Sequence, residues 1–230
     1  MVQAVILAGG LGTRLRPITE TVPKALIPVR GRPFVDHQLD LLTKNGIDEF
    51  VFCVGHLGGE IEQHLGDGRA FRCRIVYSYD GPRLLGPAGA LKRAEPLLHD
   101  RFFVTYGDAY LRAPYGRLME VLASSNKLGV MAVYRNENRF GRSDVAVQGG
   151  AVVRYDKRAR VEGMDWINYG VTALRREALD LIQGGTFCDE ETFYGSLIGR
   201  GELLAFQVDE RFYEIGTPAS LSEFEAFMGG

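Results

Sequence analysis

The sequence predicts an α/β fold in which a mixed, mainly parallel sheet is sandwiched by helices and an antiparallel insertion follows in the second half. Three observations carry this reading. Short apolar strand candidates alternate with amphipathic helices through about the first 135 residues, the order expected of parallel strands joined by right-handed crossovers. The first strand candidate runs into Ala8-Gly9-Gly10, where missing side chains permit a sharp turn. Two later runs flank Gly149-Gly150, the composition of a tight hairpin whose turn residues take positive φ.

Residues 3–7 form a β-branched apolar run, and residues 34–45 carry apolar side chains at helical spacing until Gly46 stops them, a first strand–loop–helix unit. The unit repeats as a strand over 49–54, a short helix over 60–65 and a strand over 74–79, with Gly55, Gly66 and Gly68 as punctuation. A helix over 91–98, a strand over 102–106, a helix over 115–125 and a strand over 128–134 extend the series. The hairpin of 145–148 and 151–155 then breaks the alternation. Residues 166–174 follow as a strand, 176–183 and 190–198 as helices, and 203–208 and 212–215 as short strands. Thr217-Pro218 opens a closing helix that ends near Met228, with Thr217 as N-cap and proline where its missing N–H has no partner to lose. No repeat, low-complexity tract or linker divides the chain, so one two-lobed domain over 1–230 is expected, with halves at about 1–135 and 136–230.

Composition narrows the classes of function. With 46% hydrophobic and 24% charged residues among 230, the chain can bury a sizeable core. A formal net charge of -2 without a basic block lacks the electrostatic footprint of a nucleic-acid binder. No apolar run is long enough to span a membrane, and the first residues enter a strand without a signal-peptide pattern. Cys53, Cys73 and Cys188 fit neither a disulfide framework nor paired zinc ligands. A soluble, cytoplasmic protein with neither nucleic acid nor membrane as partner is expected. His37, His56, His64 and His99 show no metal spacing and read as structural.

The most informative stretch is Leu7-Ala8-Gly9-Gly10-Leu11-Gly12-Thr13-Arg14-Leu15-Arg16-Pro17, followed by Pro23-Lys24-Ala25-Leu26-Ile27-Pro28. Glycines just past a strand let backbone amides point together at an anion. Arg14 adds a bidentate charge, and Lys24 a compact mobile ammonium suited to a phosphate whose charge changes during reaction. An isolated Gly-Gly-x-Gly would be a plain surface turn; the added Thr-Arg-Leu and Pro-Lys make it more. A P-loop needs Lys-Ser or Lys-Thr after its last glycine, where Thr13-Arg14 stands. A dinucleotide fingerprint needs glycine where Leu15 stands. Asp108 ends a strand expected to be central, and in open α/β sheets ligands bind outside the carboxyl ends of strands. Asp80, before Gly81-Pro82, is a candidate reader of a base edge or a turn residue.

With these residues the sequence resembles the sugar-nucleotide pyrophosphorylase family, the sugar-1-phosphate nucleotidyltransferases, whose Leu-Ala-Gly-Gly-x-Gly-Thr-Arg-Leu-x-Pro and Lys-Pro-Leu-x-Pro-Val are matched at 7–17 and 24–29, with Ala25 replacing a proline. Four further stations follow in order: 85–91, Gly107-Asp108, Asn168-Tyr169-Gly170, and Glu214-Ile215-Gly216-Thr217. The resemblance implies a Rossmann-like fold of the nucleotide-diphospho-sugar transferase type, whose antiparallel insertion binds sugar. It implies that Leu7, Ala8, Gly9, Gly10, Gly12, Thr13 and Arg14 hold the nucleotide, joined by Asp80, Gly86, Gly89 and Ala90. It further implies a sugar site of Gly107, Lys157, Glu162, Asn168 and Tyr169, although Tyr169 equally fits the core and Lys157 and Glu162 equally fit solvated charges, and catalysis by Arg14, Lys24 and Asp108. Mg2+ is the expected cofactor, on Asp108 and Glu214, although the family's second carboxylate is commonly aspartate. Pro87 is another departure, standing for threonine.

The implied partners are a nucleoside triphosphate and a sugar 1-phosphate. The stretches 106–111 and 212–217 are most similar to short guanylyltransferases, pointing to GTP with D-glycero-D-manno-heptose 1-phosphate or mannose 1-phosphate. An N-acetylmuramate-1-phosphate uridylyltransferase and a glucose-1-phosphate thymidylyl- or uridylyltransferase stay open. From another class, a catalytically silent sugar-nucleotide-binding subunit is a competitor that intact Arg14, Lys24 and Asp108 argue against. Oligomeric state is open, a homodimer included.

Overall fold

Alternation of apolar residues along the first strand decides the layering. In the computed structural model, which describes residues 2–158 and 163–230, β1 (Val2–Leu7) sends Ala4 and Ile6 into one buried cluster and Val5 into another. Successive strand residues point to opposite faces, so both faces of this strand are covered. The first cluster also takes Val35, Leu39 and Leu42 of α1 (Phe34–Lys44) and Ile61 and Leu65 of α2 (Gly58–Leu65). The second takes Ala88, Leu91 and Ala94 of α3 (Gly86–Ala94). Burial on both faces is why β1 and β4 (Ile47–Val54) read as near-continuous apolar runs.

The remaining elements follow in chain order. Two-residue strands β2 (Pro28–Val29) and β3 (Arg32–Pro33) pair with each other ahead of α1. After β4 come β5 (Arg74–Tyr79), β6 (Arg101–Tyr106), β7 (Ala109–Tyr110), α4 (Tyr115–Ser124) and β8 (Gly129–Arg135). Next are β9 (Val145–Gln148), β10 (Ala151–Tyr155), β11 (Trp166–Arg175), α5 (Glu190–Gly199), β12 (Leu203–Gln207), β13 (Tyr213–Glu214) and α6 (Pro218–Phe227). The main sheet runs β5-β4-β1-β6-β11-β8-β12-β10-β9. Its first four strands are parallel, β11 enters antiparallel to both β6 and β8, and β12 is again parallel to β8. α4 adds Leu118 and Leu122 to the first cluster, and α5 adds Phe193 and Leu197 to the second.

The expected antiparallel insertion is therefore an edge of this one sheet. β9 and β10 form the hairpin expected from Gly149 and Gly150, which take φ of 58° and 78° and give the turn twist a two-residue hairpin needs. Two expectations are corrected, and three short strands were not expected. The helix expected over 91–98 starts at Gly86 and gives way to a 3-10 turn over Glu95–Leu97; its first turn, Gly-Pro-Ala-Gly, has no apolar periodicity to see. Residues 176–183 form a 3-10 segment, Arg176–Leu181, instead of an α-helix. The two-residue strands β2, β3 and β7 are too short for a periodic signal.

A third cluster gathers Leu15, Ile27, Val29, Phe34, Ile215 and Phe224. It fastens the segment after the glycine loop beneath α6. Thr217 caps α6 by accepting from the Ser220 amide at 3.1 Å, and the Ser220 hydroxyl accepts from the Thr217 amide in return.

Candidate active site

The carboxyl ends of the parallel strands open into a cavity of about 260 Å³. From the loop after β1, Leu7, Ala8, Gly9, Gly10 and Gly12 line it; from other loops Lys24, Asp80, Gly86, Ala90, Gly107 and Asp108 do. Backbone bonds hold the neighbouring loops in register: the Gly107 amide donates to Leu7 O at 2.9 Å and the Ala8 amide to Cys53 O at 2.8 Å. At Gly12 the chain takes φ 60° and turns into a 3-10 segment, Thr13–Leu15, a conformation that costs other residues a steric penalty. The Thr19 hydroxyl donates to Gly12 O at 2.8 Å and locks the turn.

Buried Leu15 and Ala25 fix the backbone on either side of the two cations. Lys24 Nζ meets Asp108 Oδ2 at 2.8 Å, with side chains 19% and 25% exposed. Asp108 sits between β6 and β7, and its carbonyl accepts from the Ile215 amide at 3.0 Å. Pairing of β7 with β13 sets Ala109 opposite Glu214, so the chain's far end is brought beside Asp108. The Glu214 carboxylate turns back onto the Gly216 amide. Arg14 converges there too: its Nη2 lies 2.8 Å from where a Cβ on Gly216 would stand. Thr13 and Arg14 are exposed beside the cavity instead of lining it.

Asp80 is buried, and its Oδ2 accepts from the Leu85 amide at 3.3 Å. Burial pushes its carboxyl up, against the Leu85 amide and Arg93, which pull it down. Gly89 does not line the cavity wall; a Cβ there would stand 2.8 Å from Thr186 O, so it accommodates chain and not ligand.

On the far side, Lys157 Nζ pairs with Glu190, and the Tyr106 hydroxyl donates to the same carboxylate. The Lys157 amide donates to Glu191 Oε1 at 3.1 Å. Burial lowers the Lys157 ammonium's pKa; Asp144, Glu191 and Asp108 raise it and Arg14 lowers it. Asp144 is buried, accepts from the Asn168 amide at 2.9 Å, and is pushed up by burial to about 6, opposed by that amide, Lys157 and Arg142. The Asn168 side chain accepts from the Gly170 amide at 3.0 Å. Tyr169 is corrected: it is 1% exposed in the first core cluster, edge-on to Phe212. Asn168 beside it is only partly buried. Glu162 lies outside the described residues. Three of the histidines have other partners: His37 contacts Val29 O, His64 pairs with Asp36, and His99 with Glu49.

The family model described as nucleotidyl transferase matches residues 3–186. The chain belongs to that nucleotidyl transferase family. It is 31% identical over 199 residues to the UTP–glucose-1-phosphate uridylyltransferase of Synechocystis sp., covering 80% of this chain and 51% of that one. It is 28% identical over 222 residues to the mannose-1-phosphate guanylyltransferase catalytic subunit beta of Xenopus tropicalis, covering 94% and 61%. The chain thus spans between half and two thirds of these curated relatives. In fold it is similar to HddC from Yersinia pseudotuberculosis complexed with GMP-PN, with TM-score 0.83, 22% identity and coverage of 99% and 100%. It is likewise similar to the inositol-1-phosphate CTP transferase from T. maritima, with TM-score 0.81, 22% identity and coverage of 100% and 95%.

Two features of this nucleotidyl transferase chain bear on a metal. Among the described residues no three His, Cys, Asp or Glu side chains gather into a cage. Asp108, just ahead of β7, and Glu214, on the β13 strand paired with it, are the residues that could hold a magnesium ion, which needs only one or two carboxylates when phosphates and water complete its shell. No helix among the described residues is long and apolar enough to cross a membrane. Sequence reasoning missed Glu190, Asp144 and Phe187. Glu190 follows the N-cap Asp189 and carries only the signal of a helix start, and its partner Lys157 comes from a distant loop.

Proposed function

We propose that the chain joins a nucleoside triphosphate to a sugar 1-phosphate and releases pyrophosphate, with GTP and a heptose or mannose 1-phosphate as substrates. The observation that carries this is the Lys24–Asp108 pair, set at a cavity where a glycine loop leaves the ends of parallel strands. Amides of such a loop cradle polyphosphate oxygens. An oxygen of the sugar phosphate attacks the α-phosphorus; its bond to phosphorus forms as the bond to the bridging oxygen breaks, and pyrophosphate departs with the electron pair. The attacking oxygen is already anionic, so no general base is required, and positioning and charge neutralisation do the catalysis. Lys24 faces the developing charge, and Arg14 adds a second cation beside the loop. Asp108 and Glu214 would hold a magnesium ion, which when bound neutralises phosphate charge. Lys157, held by Glu190, faces the sugar phosphate.

Pyrophosphate release over a panel of triphosphates and sugar phosphates, with and without magnesium, tests the proposal. Release is expected only when both substrates are present, fastest with GTP. Binding without turnover for every pair would instead make the chain a silent binding subunit. A second reading, uridylyl transfer to glucose 1-phosphate, is favoured by the uridylyltransferase relative at 31% identity; faster turnover with UTP selects it.

A further inference from the structure

The loop before α5 brings to the cavity a large apolar side chain that the chemistry above leaves unused. Phe187 is 67% exposed, the highest value among the described exposed large hydrophobic residues, and it lines the cavity with Leu84, itself 41% exposed. An aromatic ring kept in water beside a concave site loses the burial that normally holds such a ring in a core, and a ligand restores it.

The ring is carried on a fixed strap. The Cys188 amide donates to Leu85 O at 2.8 Å, and Cys188 O accepts from the Ala88 and Gly89 amides at 3.1 and 3.2 Å. These are amides that a helix start leaves without intrahelical partners, so residues 186–188 are tied to the first turn of α3. Gly86 permits the contact: a Cβ there would stand 2.6 Å from Cys188 O and 2.9 Å from Phe187 Cε2.

The cavity lining falls into two chemistries. The glycine loop, Lys24 and Asp108 suit phosphate. Leu84, Pro87, Ala90 and Phe187 make apolar walls around the Asp80 carboxylate, which suits a ligand part with flat apolar faces and a polar edge. A nucleobase has that character. We infer that Phe187 covers the face of the nucleobase and sets a preference for purine over pyrimidine by the ring area it stacks. The inference rests on the nucleotide-binding part of the function proposed above.

The test is direct binding of GTP, UTP and inorganic tripolyphosphate to the wild-type chain, Phe187→Ala and Phe187→Trp. GTP binding is expected to weaken about tenfold in Phe187→Ala, the size of one lost base–aromatic stack. UTP weakens less, tripolyphosphate is unchanged, and Phe187→Trp retains GTP. GTP binding within twofold of wild type in Phe187→Ala overturns the inference. Equal losses for GTP and tripolyphosphate overturn it too, because the strap and not the ring would then be responsible, and equal losses for GTP and UTP overturn the purine preference. A wild-type chain that binds GTP yet releases no pyrophosphate with any sugar phosphate removes the transferase reading alone, and the Phe187→Ala comparison still decides this one. A chain that binds no triphosphate overturns both.

Discussion

Replacing Lys24 by alanine separates chemistry from folding at this site. At 2.8 Å, two unit charges attract by about 6 kcal/mol at an effective dielectric of about 20 and about 1.5 kcal/mol in bulk water. Both side chains keep about a fifth to a quarter of their surface in water, and the ions lose hydration when they pair, so the net contribution to stability is only about 1 kcal/mol. For a chain of this size that corresponds to a fall in Tm of about 2–4 °C. The catalytic loss is far larger if the ammonium faces charge that develops on the phosphates, since removing one such positioned group costs about 10²- to 10³-fold in kcat. Lys24→Ala is therefore expected to melt almost normally and to turn over hundreds of times more slowly, with the loss in kcat rather than KM. Coupled pyrophosphate release and differential scanning fluorimetry on the same preparation measure both. A kcat within threefold of wild type refutes the assignment; a Tm loss above about 10 °C shows that the pair is chiefly structural.

Three further outcomes follow from the geometry. Asp144 has its carboxyl raised from 3.8 to about 6 by burial, so the folded state favours the protonated form, and the stabilisation present below pH 3.8 is lost as pH rises through 6; Asp144→Asn should escape that loss, its Tm gaining on wild type between pH 4 and 7. Gly12→Ala forces a methyl to within 2.8 Å of Thr19 Cγ2 at φ 60°, and should lower the denaturant-derived stability by about 1–2 kcal/mol while raising KM for the triphosphate. Tyr169→Phe should leave kcat/KM for the sugar phosphate within about twofold, whereas Tyr169→Ala, by emptying a core position, should cost about 3–5 kcal/mol in urea unfolding; a selective loss of sugar-phosphate affinity in Tyr169→Phe would return that residue to the site.

The parallel half of the fold was legible because strands covered on both faces read as near-continuous apolar runs, and β4 displays this from Phe50 to Val54. The start of α3 was not, because Gly86, Pro87 and Ala88 have no apolar face to repeat and the turn is stabilised by Cys188, a hundred residues downstream. At the site, glycine spacing and strand-end chemistry drew attention to Arg14, Lys24 and Asp108, of which Lys24 and Asp108 line the cavity. The pairing of Lys24 with Asp108 and the approach of Glu214 depend on loops and on a two-residue ribbon that periodicity does not reveal. Tyr169 could be read from sequence as a sugar contact or as core, and its burial at 1% exposure in the first cluster decides for the core. Lys157 was named from the family resemblance and its partner Glu190 was not, because a carboxylate at a helix start is usually explained by the helix dipole alone.

The cluster that joins Leu15 and Ile27 to Ile215 and Phe224 imposes an order on how this protein becomes competent. The sheet strands β1, β4, β5 and β6 have all been synthesised long before α6, yet the apolar bed of Leu15 and Ile27, begun by Val29 and Phe34, is completed only when Ile215 and Phe224 arrive. A nascent chain halted before residue 215 would thus possess its central strands and still carry the two cations on a loop only partly bedded. Completion of the grip is deferred until α6 is made, and a protease that cuts ahead of α6 would loosen the loop that carries the two cations while sparing most of the sheet.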